Sequence, residues 1–373
     1  MPCPTQLRAF RLTLEIIYMK KTLIALAVLA VSGTAFAQVT ITGKVGFGFG
    51  KSASQTSSNA NSSSGMQMFD GDVSFTAKED LGGGMSVIAS TDVQLRGRSD
   101  EPTATNPAIS GLSAPTTTNN AQFRPRNATI AMITPMGVFS GGAIESPSGF
   151  FRTPSYKDFL NTGFDNANGP WDGKANIDFV RYMVPVGAFQ LSGWYTEVGA
   201  GAGNAVVFGA SSKLTAPGVM INYAAGPITA YADFFSFSAV KTLGAPVKPV
   251  FDGLNRYRIG ADYNFGIAKV AVGYQTRDRL PDQYAFGVVV PLGAVTVNLT
   301  YGARDAAKAD ATYGLVAAVE RTGTALQVQY NFSKSTLAEV SYETYTGGGG
   351  ITGVANGERD LSDGYRVTLR KSF

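Results

Sequence analysis

The sequence predicts an all-β chain, closed into a transmembrane antiparallel barrel of about 16 strands, an even number being the rule for such barrels. Three observations carry this expectation. Apolar and polar residues alternate with period two through most of the chain. The connections between alternating runs are by turns short and long. No helical span competes: mean hydropathy is +0.03, and past the amino-terminal stretch no apolar run reaches the roughly 18 residues of a membrane helix. Strands with one apolar and one polar face average to such near-zero hydropathy.

The pattern is clearest from Gly364 to Phe373, which reads G-Y-R-V-T-L-R-K-S-F. Side chains alternate faces along a strand. Tyr365, Val367, Leu369 and Phe373 therefore form an apolar face, and Arg366, Thr368 and Arg370 a cationic one. The stretch has the length of a tilted bilayer crossing, about 9–11 residues. A barrel has no free edge, so this strand is expected to pair with the first.

Residues 19–37 read as a secretory signal. Lys20 and Lys21 form its basic start, Thr22 to Val31 its apolar core, and Ala35-Phe36-Ala37 its cleavage site, leaving Gln38 first. Residues 1–18 precede a complete leader as a possible upstream extension, with Met1 and Met19 as alternative starts. The lone cysteine, Cys3, lies before the cleavage site. The removed segment holds Arg8, Arg11, Lys20 and Lys21 against Glu15, so most of the net charge of +4 leaves with it. The remainder is not globally basic, which argues against nucleic acid as a partner.

The first strand is Gln38 to Lys51, with Val39, Ile41, Val45, Phe47 and Phe49 on the outer parity and Thr40, Thr42 and Lys44 on the inner. A polar run from Ser52 to Ser64 follows. In the second strand, Met68 to Lys78, the expected outward residues are Phe69, Val73, Phe75 and Ala77; Asp72, Ser74, Thr76 and Lys78 face in. After a glycine-rich turn at Glu79–Gly84, the third strand points Met85, Val87, Ala89, Val93 and Leu95 outward. Asp92, Gln94, Arg96 and Arg98 point inward, and Ser99 to Gln122 forms a long polar connection.

Farther on, short turns fall at Thr134–Gly137, Pro185–Gly187, Gly226–Pro227, Phe265–Gly266, Pro291–Gly293 and Ser333–Ser335. Long connections include Ile144–Asn176, Val198–Pro217, Ser238–Asn255, Gly302–Ala311 and Gly347–Asp363. Tight periplasmic turns and long external loops are the layout of an outer-membrane barrel. Alternation is faintest in the strand before the third long loop and in one expected near Ala311–Val319. A soluble all-β protein would also alternate. Its dry core, however, would have to take in Lys44, Lys78, Arg96, Arg98, Arg181, Arg366 and Arg370, at a cost that a water-filled lumen avoids.

The terminal aromatic strand, the block Lys78-Glu79-Asp80-Leu81-Gly82-Gly83-Gly84 and the leader together resemble the general porins of Gram-negative bacteria, nearest to the neisserial and burkholderial type. The likeness covers nearly all of residues 38–373, one barrel domain, and weakens in the middle. It implies a homotrimer in the cell outer membrane, in contact with its lipids and lipopolysaccharide. It also implies recognition by the outer-membrane assembly machinery through Phe373. The implied activity is a water-filled channel for passive diffusion of ions and small hydrophilic solutes.

In the porins it resembles, the third long loop folds into the lumen and its carboxylates face bases on the wall. Here that loop would offer Glu145, Asp158 and Asp165 as acids and Arg152 and Lys157 as bases. Phe150, Phe151, Phe159, Phe164 and Trp171 would anchor it. The wall candidates are Lys44, Arg96, Arg98, Arg124, Arg126 and Arg181. Arg126 and Arg181 stand where the family carries bases, in Arg124-Pro125-Arg126-Asn127 and Phe179-Val180-Arg181-Tyr182. One departure is Gly142-Ala143-Ile144-Glu145, where the family block ends in Gly-Arg-Gln. An acid in place of a base argues against strong anion selectivity, since charged rings favour ions of opposite sign.

Other chemistry is thin. The chain has no His, which removes the usual general base and commonest metal ligand. Without a cysteine after residue 37 there is no disulfide or thiolate site. No cofactor and no enzymatic activity are expected. Gly46 to Lys51 has glycine spacing within an alternating strand and lacks the strand–helix setting of a phosphate loop. Gly199 to Asn204 lacks the last glycine of a dinucleotide fingerprint, and Asp305–Asp310 has no calcium-ligand spacing. Two alternatives to a general pore are a channel specialised for one ligand class and a non-conducting adhesion barrel.

Overall fold

The computed structural model describes residues 38–51, 64–95, 123–145, 176–199, 211–241, 247–306, 308–315, 317, 320–346 and 363–373. Within them the chain forms sixteen strands. The first eight are β1 (Gln38–Lys51), β2 (Ser64–Gly82), β3 (Met85–Leu95), β4 (Phe123–Thr134), β5 (Gly137–Glu145), β6 (Asn176–Val186), β7 (Phe189–Gly199) and β8 (Ser211–Ala225). The rest are β9 (Ile228–Lys241), β10 (Leu254–Asn264), β11 (Lys269–Arg277), β12 (Leu280–Leu292), β13 (Val295–Arg304), β14 (Arg321–Ser333), β15 (Thr336–Thr346) and β16 (Gly364–Ser372). Each strand pairs antiparallel with its neighbours in sequence, and β16 returns to β1 to close the barrel.

The closing register runs from Lys44 opposite Ser372 to Lys51 opposite Tyr365. One further pair locks the end: Gly43 and Phe373 exchange backbone hydrogen bonds, both 2.9 Å. A side chain at position 43 would meet the Phe373 ring, 2.5 Å from a Cβ built there. Glycine thus lets the terminal ring cross β1.

Two coats of side chains result from the alternation. The outer coat exposes Ile41, Phe47, Ile130, Val180, Ile221, Ile259, Val272, Val340 and Leu369. Aromatic pairs band it at both heights. Phe139–Tyr182 (4.4 Å) and Tyr263–Phe265 (4.5 Å) lie near the short turns, while Phe234–Tyr257 (4.9 Å) and Phe49–Tyr365 (6.3 Å) lie toward the other rim. An apolar band between aromatic girdles is what a lipid environment selects. The inner coat is polar, and sixteen strands make a barrel too wide for its wall side chains to fill.

The short-turn rim is uniform, with connections at 83–84, 135–136, 187–188, 226–227, 265–268, 293–294 and 334–335. The other rim carries the longer connections with one exception: β11 reaches β12 through 278–279 alone. Strands also run farther than alternation suggested. Ser211–Pro217 belongs to β8, and β9 continues to Lys241.

Three expectations are corrected. Phe69 does not face lipid. Gly46 pairs with Asp70 but Phe47 with Met68, so Phe69 is the extra residue of a β-bulge. Its ring lies on the inner face, 4.9 Å from the Arg366 guanidinium. A bulge breaks period-two parity, which is why alternation misassigned it. Of the strand expected near Ala311–Val319, the part at 311–315 is not wall strand either. Residues 311–314 form a turn closed by the Asp310–Leu315 bridge, and β14 begins only at Arg321. Against expectation, the inner face is not polar throughout. Near the long-loop rim it carries an apolar cluster that includes Leu214, Phe235, Phe237 and Leu254.

Candidate functional site: the charged inner wall

The inner coat gathers charge in two sectors. The first lies on β9 to β13. Outward Tyr257 and Ile259 on β10 force Arg256 and Arg258 inward, and outward Phe234 on β9 does the same for Asp233 and Phe235. Asp233 stands opposite Arg258 in register, and Phe235 opposite Arg256. Arg258 donates through Nε to Asp233 Oδ2 (2.7 Å) and through Nη2 to the Tyr231 hydroxyl (2.6 Å); Nη2 also contacts Asp233. The Tyr231 hydroxyl donates to Asp233 Oδ2 at 2.6 Å. Arg256 reaches the other carboxylate oxygen at 3.5 Å and lies over Phe235, 4.9 Å from the ring centre.

Across the β10–β11 pair, Arg256 faces Arg277 directly. Two strands on, Arg304 of β13 faces Gln283 of β12. All four arginines are buried, Arg256 fully so. Amide pairs continue the polar wall: Gln275 donates to Gln283 (2.8 Å), and Asn298 to Gln327 (2.6 Å).

The second sector straddles the closing seam. Glu339 of β15 receives Arg366 and, at 3.5 Å, Arg370, both of β16. Gln329 of β14 donates to the same carboxylate at 3.1 Å. Arg370 also meets Asp70 of β2 at 3.4 Å. Lys44 of β1 then bridges Asp70 (2.7 Å) and Asp72 (3.3 Å). The result is a ribbon of alternating sign across β15, β16, β1 and β2.

Lys44 and Arg181, the two expected wall bases whose side chains are described, both face inward. Arg181 on β6 donates to Ser140 Oγ (3.0 Å) and stacks over Trp194, 5.0 Å from its ring. The two lie five strands apart, about 24 Å around the wall at about 4.8 Å per strand, and do not form one site. Arg126 lies on β4 at a bulge, since Asp92 pairs with Asn127 and Val93 with Pro125; Arg124 is opposite Gln94. Glu145 ends β5 opposite Asn176. The side chains of Arg124, Arg126 and Glu145 lie outside the described residues, as do Arg96, Arg98, Asp158, Asp165 and the rest of the third loop.

Sequence reasoning did not single out Asp233, Arg256, Arg258, Arg277, Arg304 and Glu339. The parity of their strands could have placed each inward. Among the described residues no group of three His, Cys, Asp or Glu is set to hold a metal ion.

A family model described as Gram-negative porin matches residues 22–350. Among solved structures, the chain is similar to the anion-selective porin from Comamonas acidovorans, at TM-score 0.61 and 19% identity, covering 91% of this chain and 100% of that one. It is also similar to a loop-deletion mutant of OmpT, an outer membrane protein of Vibrio cholerae (TM-score 0.57, 12% identity, 90% and 99% coverage). A mutant of the Rh. blastica porin matches as well, with TM-score 0.56, 11% identity and coverage of 90% and 100%. At these identities the likeness is one of fold. No curated protein sequence matches the chain.

Proposed function

The chain belongs to the Gram-negative porin family and is an outer-membrane channel barrel, and from that premise we propose that it passes ions and small hydrophilic solutes by passive diffusion. The supporting observation is a closed wall of sixteen strands with charge concentrated on its inner face. In this reading the third loop turns inward and narrows the pore against that wall. Solutes are sorted by size at the narrowing and by sign from the wall charges. The protein acts as a homotrimer, exported under its leader and inserted through recognition of Phe373.

A weak preference for anions fits the inward arginines of β10, β11 and β13, two of which, Arg256 and Arg258, share the carboxylate of Asp233. The Comamonas acidovorans porin of the same fold is described as anion-selective. Glu145, at the end of β5 where the third loop begins, acts in the opposite sense and keeps the preference modest.

The test is reversal potential in a salt gradient across a planar bilayer, on the unsubstituted barrel and on Arg96→Ala, Arg126→Ala and Arg181→Ala. At least one variant is expected to move toward cations. Three unchanged potentials would refute the assignment of these wall bases. A barrel that carries no current would remove the channel reading.

A further inference from the structure

Most lumen-facing positions are polar, but those nearest the long-loop rim between β6 and β12 are not. Ile177, Leu214, Phe235, Phe237, Leu254 and Leu280 share the inner face there, all less than a tenth exposed. A greasy patch inside a wet barrel would be unfavourable if bare. It is not bare. Val250 and Phe251, from the β9–β10 connection, and Leu315, from the β13–β14 connection, pack into it. The Phe251 and Phe237 rings are 5.7 Å apart.

The two connections also hold each other. Lys248 N donates to Thr312 O at 2.9 Å, and Val247 packs on Gly314, where an added Cβ would lie 3.4 Å from the valine methyls. A third tie comes from the 278–279 turn. Arg279 Nη2 donates to Val250 O (3.1 Å) and Asp252 O (2.8 Å), and its guanidinium lies 4.6 Å from the Tyr313 ring centre. Arg279 has φ of 67°, a left-handed conformation that a bulky side chain resists and glycine adopts freely. The turn itself gains nothing from arginine. What arginine adds is the strap across both connections.

We propose that residues 247–253 and 308–315 form a fixed shelf inside the long-loop mouth, a second constriction separate from the third loop, pinned by Arg279. The shelf packs on the inner wall of β8 to β12 and so takes up lumen cross-section in that sector. It admits solutes by size before they meet the arginines of β10, β11 and β13. This deepens the diffusion-channel reading and rests on it.

Two measurements test the proposal on the full barrel. The chain after residue 37 contains no cysteine, so the pair Phe237→Cys with Phe251→Cys reports whether the connection sits on the wall in the membrane. Cross-linking by a short bifunctional thiol reagent in outer membranes is expected, read by gel mobility; failure to cross-link with reagents of increasing span would overturn the shelf. Arg279→Gly and Phe251→Ser are expected to raise single-channel conductance and to let in sugars that the unsubstituted barrel excludes. Arg279→Gly also relieves the turn, so a gain in conductance cannot be ascribed to a poorly folded barrel. Unchanged conductance and exclusion limit in both variants would overturn the constriction. A barrel silent before substitution would instead overturn the channel reading, while cross-linking would still judge the shelf.

Discussion

Around the seam, β15, β16, β1 and β2 meet every inward arginine with a carboxylate: Arg366 with Glu339, and Arg370 with both Glu339 and Asp70. On the other side, β9 to β13 set Arg256 directly opposite Arg277 and add Arg258 and Arg304, with Asp233 as the carboxylate that touches Arg256 and Arg258. Like charges facing each other across a ladder cost stability. A chain selected only for a stable wall would not place them so. The contrast separates two uses of the same side chain. Where the barrel is sewn shut, arginine is neutralised and serves assembly. Where arginine faces arginine, as Arg256 does Arg277, the proposed use is to set the field that solutes feel. Local rules are broken where function requires it.

The largest effect should come from the seam backbone. Gly46, Gly48 and Gly50 alternate along β1, and a Cβ at position 48 would lie 1.9 Å from Val367 O. That atom is main chain and cannot swing aside. Gly48→Ala is therefore expected to abolish closure, seen as loss of the compact mobility of the unheated barrel on gels. A fully folded Gly48→Ala barrel would show that the β1–β16 pairing is looser than described.

Next in size is Glu339→Gln. The carboxylate holds two arginines and a glutamine while itself almost fully buried. Removing one partner of a buried pair is strongly destabilising, by about 3 kcal/mol or more. Denaturant unfolding in detergent should show that loss. The double variant Glu339→Gln with Arg366→Gln should recover part of it, because it removes both charges. Equal destabilisation by the single and double variants would break the claim that the seam is charge-matched.

Much of this architecture could be read in advance, because period two is a local signal. Val39 to Phe49 and Tyr365 to Leu369 announced their faces, and the glycine and proline turns announced the hairpins. Phe69 escaped because a bulge inserts one residue and resets the parity. The shelf escaped for another reason: Val250, Phe251 and Leu254 lie in a stretch read as a loop, and only strand closure shows that Phe235 and Phe237 offer them an apolar seat. The arginine sector was half legible. Tyr257, Ile259, Leu299 and Tyr301 fix the inward parity of Arg256, Arg258 and Arg304. That Arg256 lies against Arg277 depends on register, which alternation within one strand does not encode. The third-loop acids Asp158 and Asp165 lie outside the described residues.

The two sectors should also part company in selectivity. Arg304→Gln removes one charge from the arginine-rich side and is expected to shift the reversal potential toward cations. Glu339→Gln with Arg366→Gln removes a matched pair and should leave the potential where it was. A shift of the same size in both would erase the distinction between a structural and a field-setting sector.

The smallest effect is expected at Lys44, although its ammonium bridges two carboxylates. Its side chain keeps 38% of its exposure while bridging Asp70 and Asp72, which keep 9% and 20%. A solvated ammonium gives up little on release, and such pairs contribute about 0.2–1 kcal/mol. Asp70 is not orphaned by the loss, because Arg370 still reaches it. Lys44→Ala should therefore unfold within about 1 kcal/mol of the unsubstituted barrel, with its small cost shrinking further in high salt. Glu339, enclosed and shared by two guanidiniums, has no such escape. If Lys44→Ala proved as damaging as Glu339→Gln, burial would not be what separates the strong links of the ribbon from the weak ones, and the acids of β2 rather than of β15 would be holding the seam.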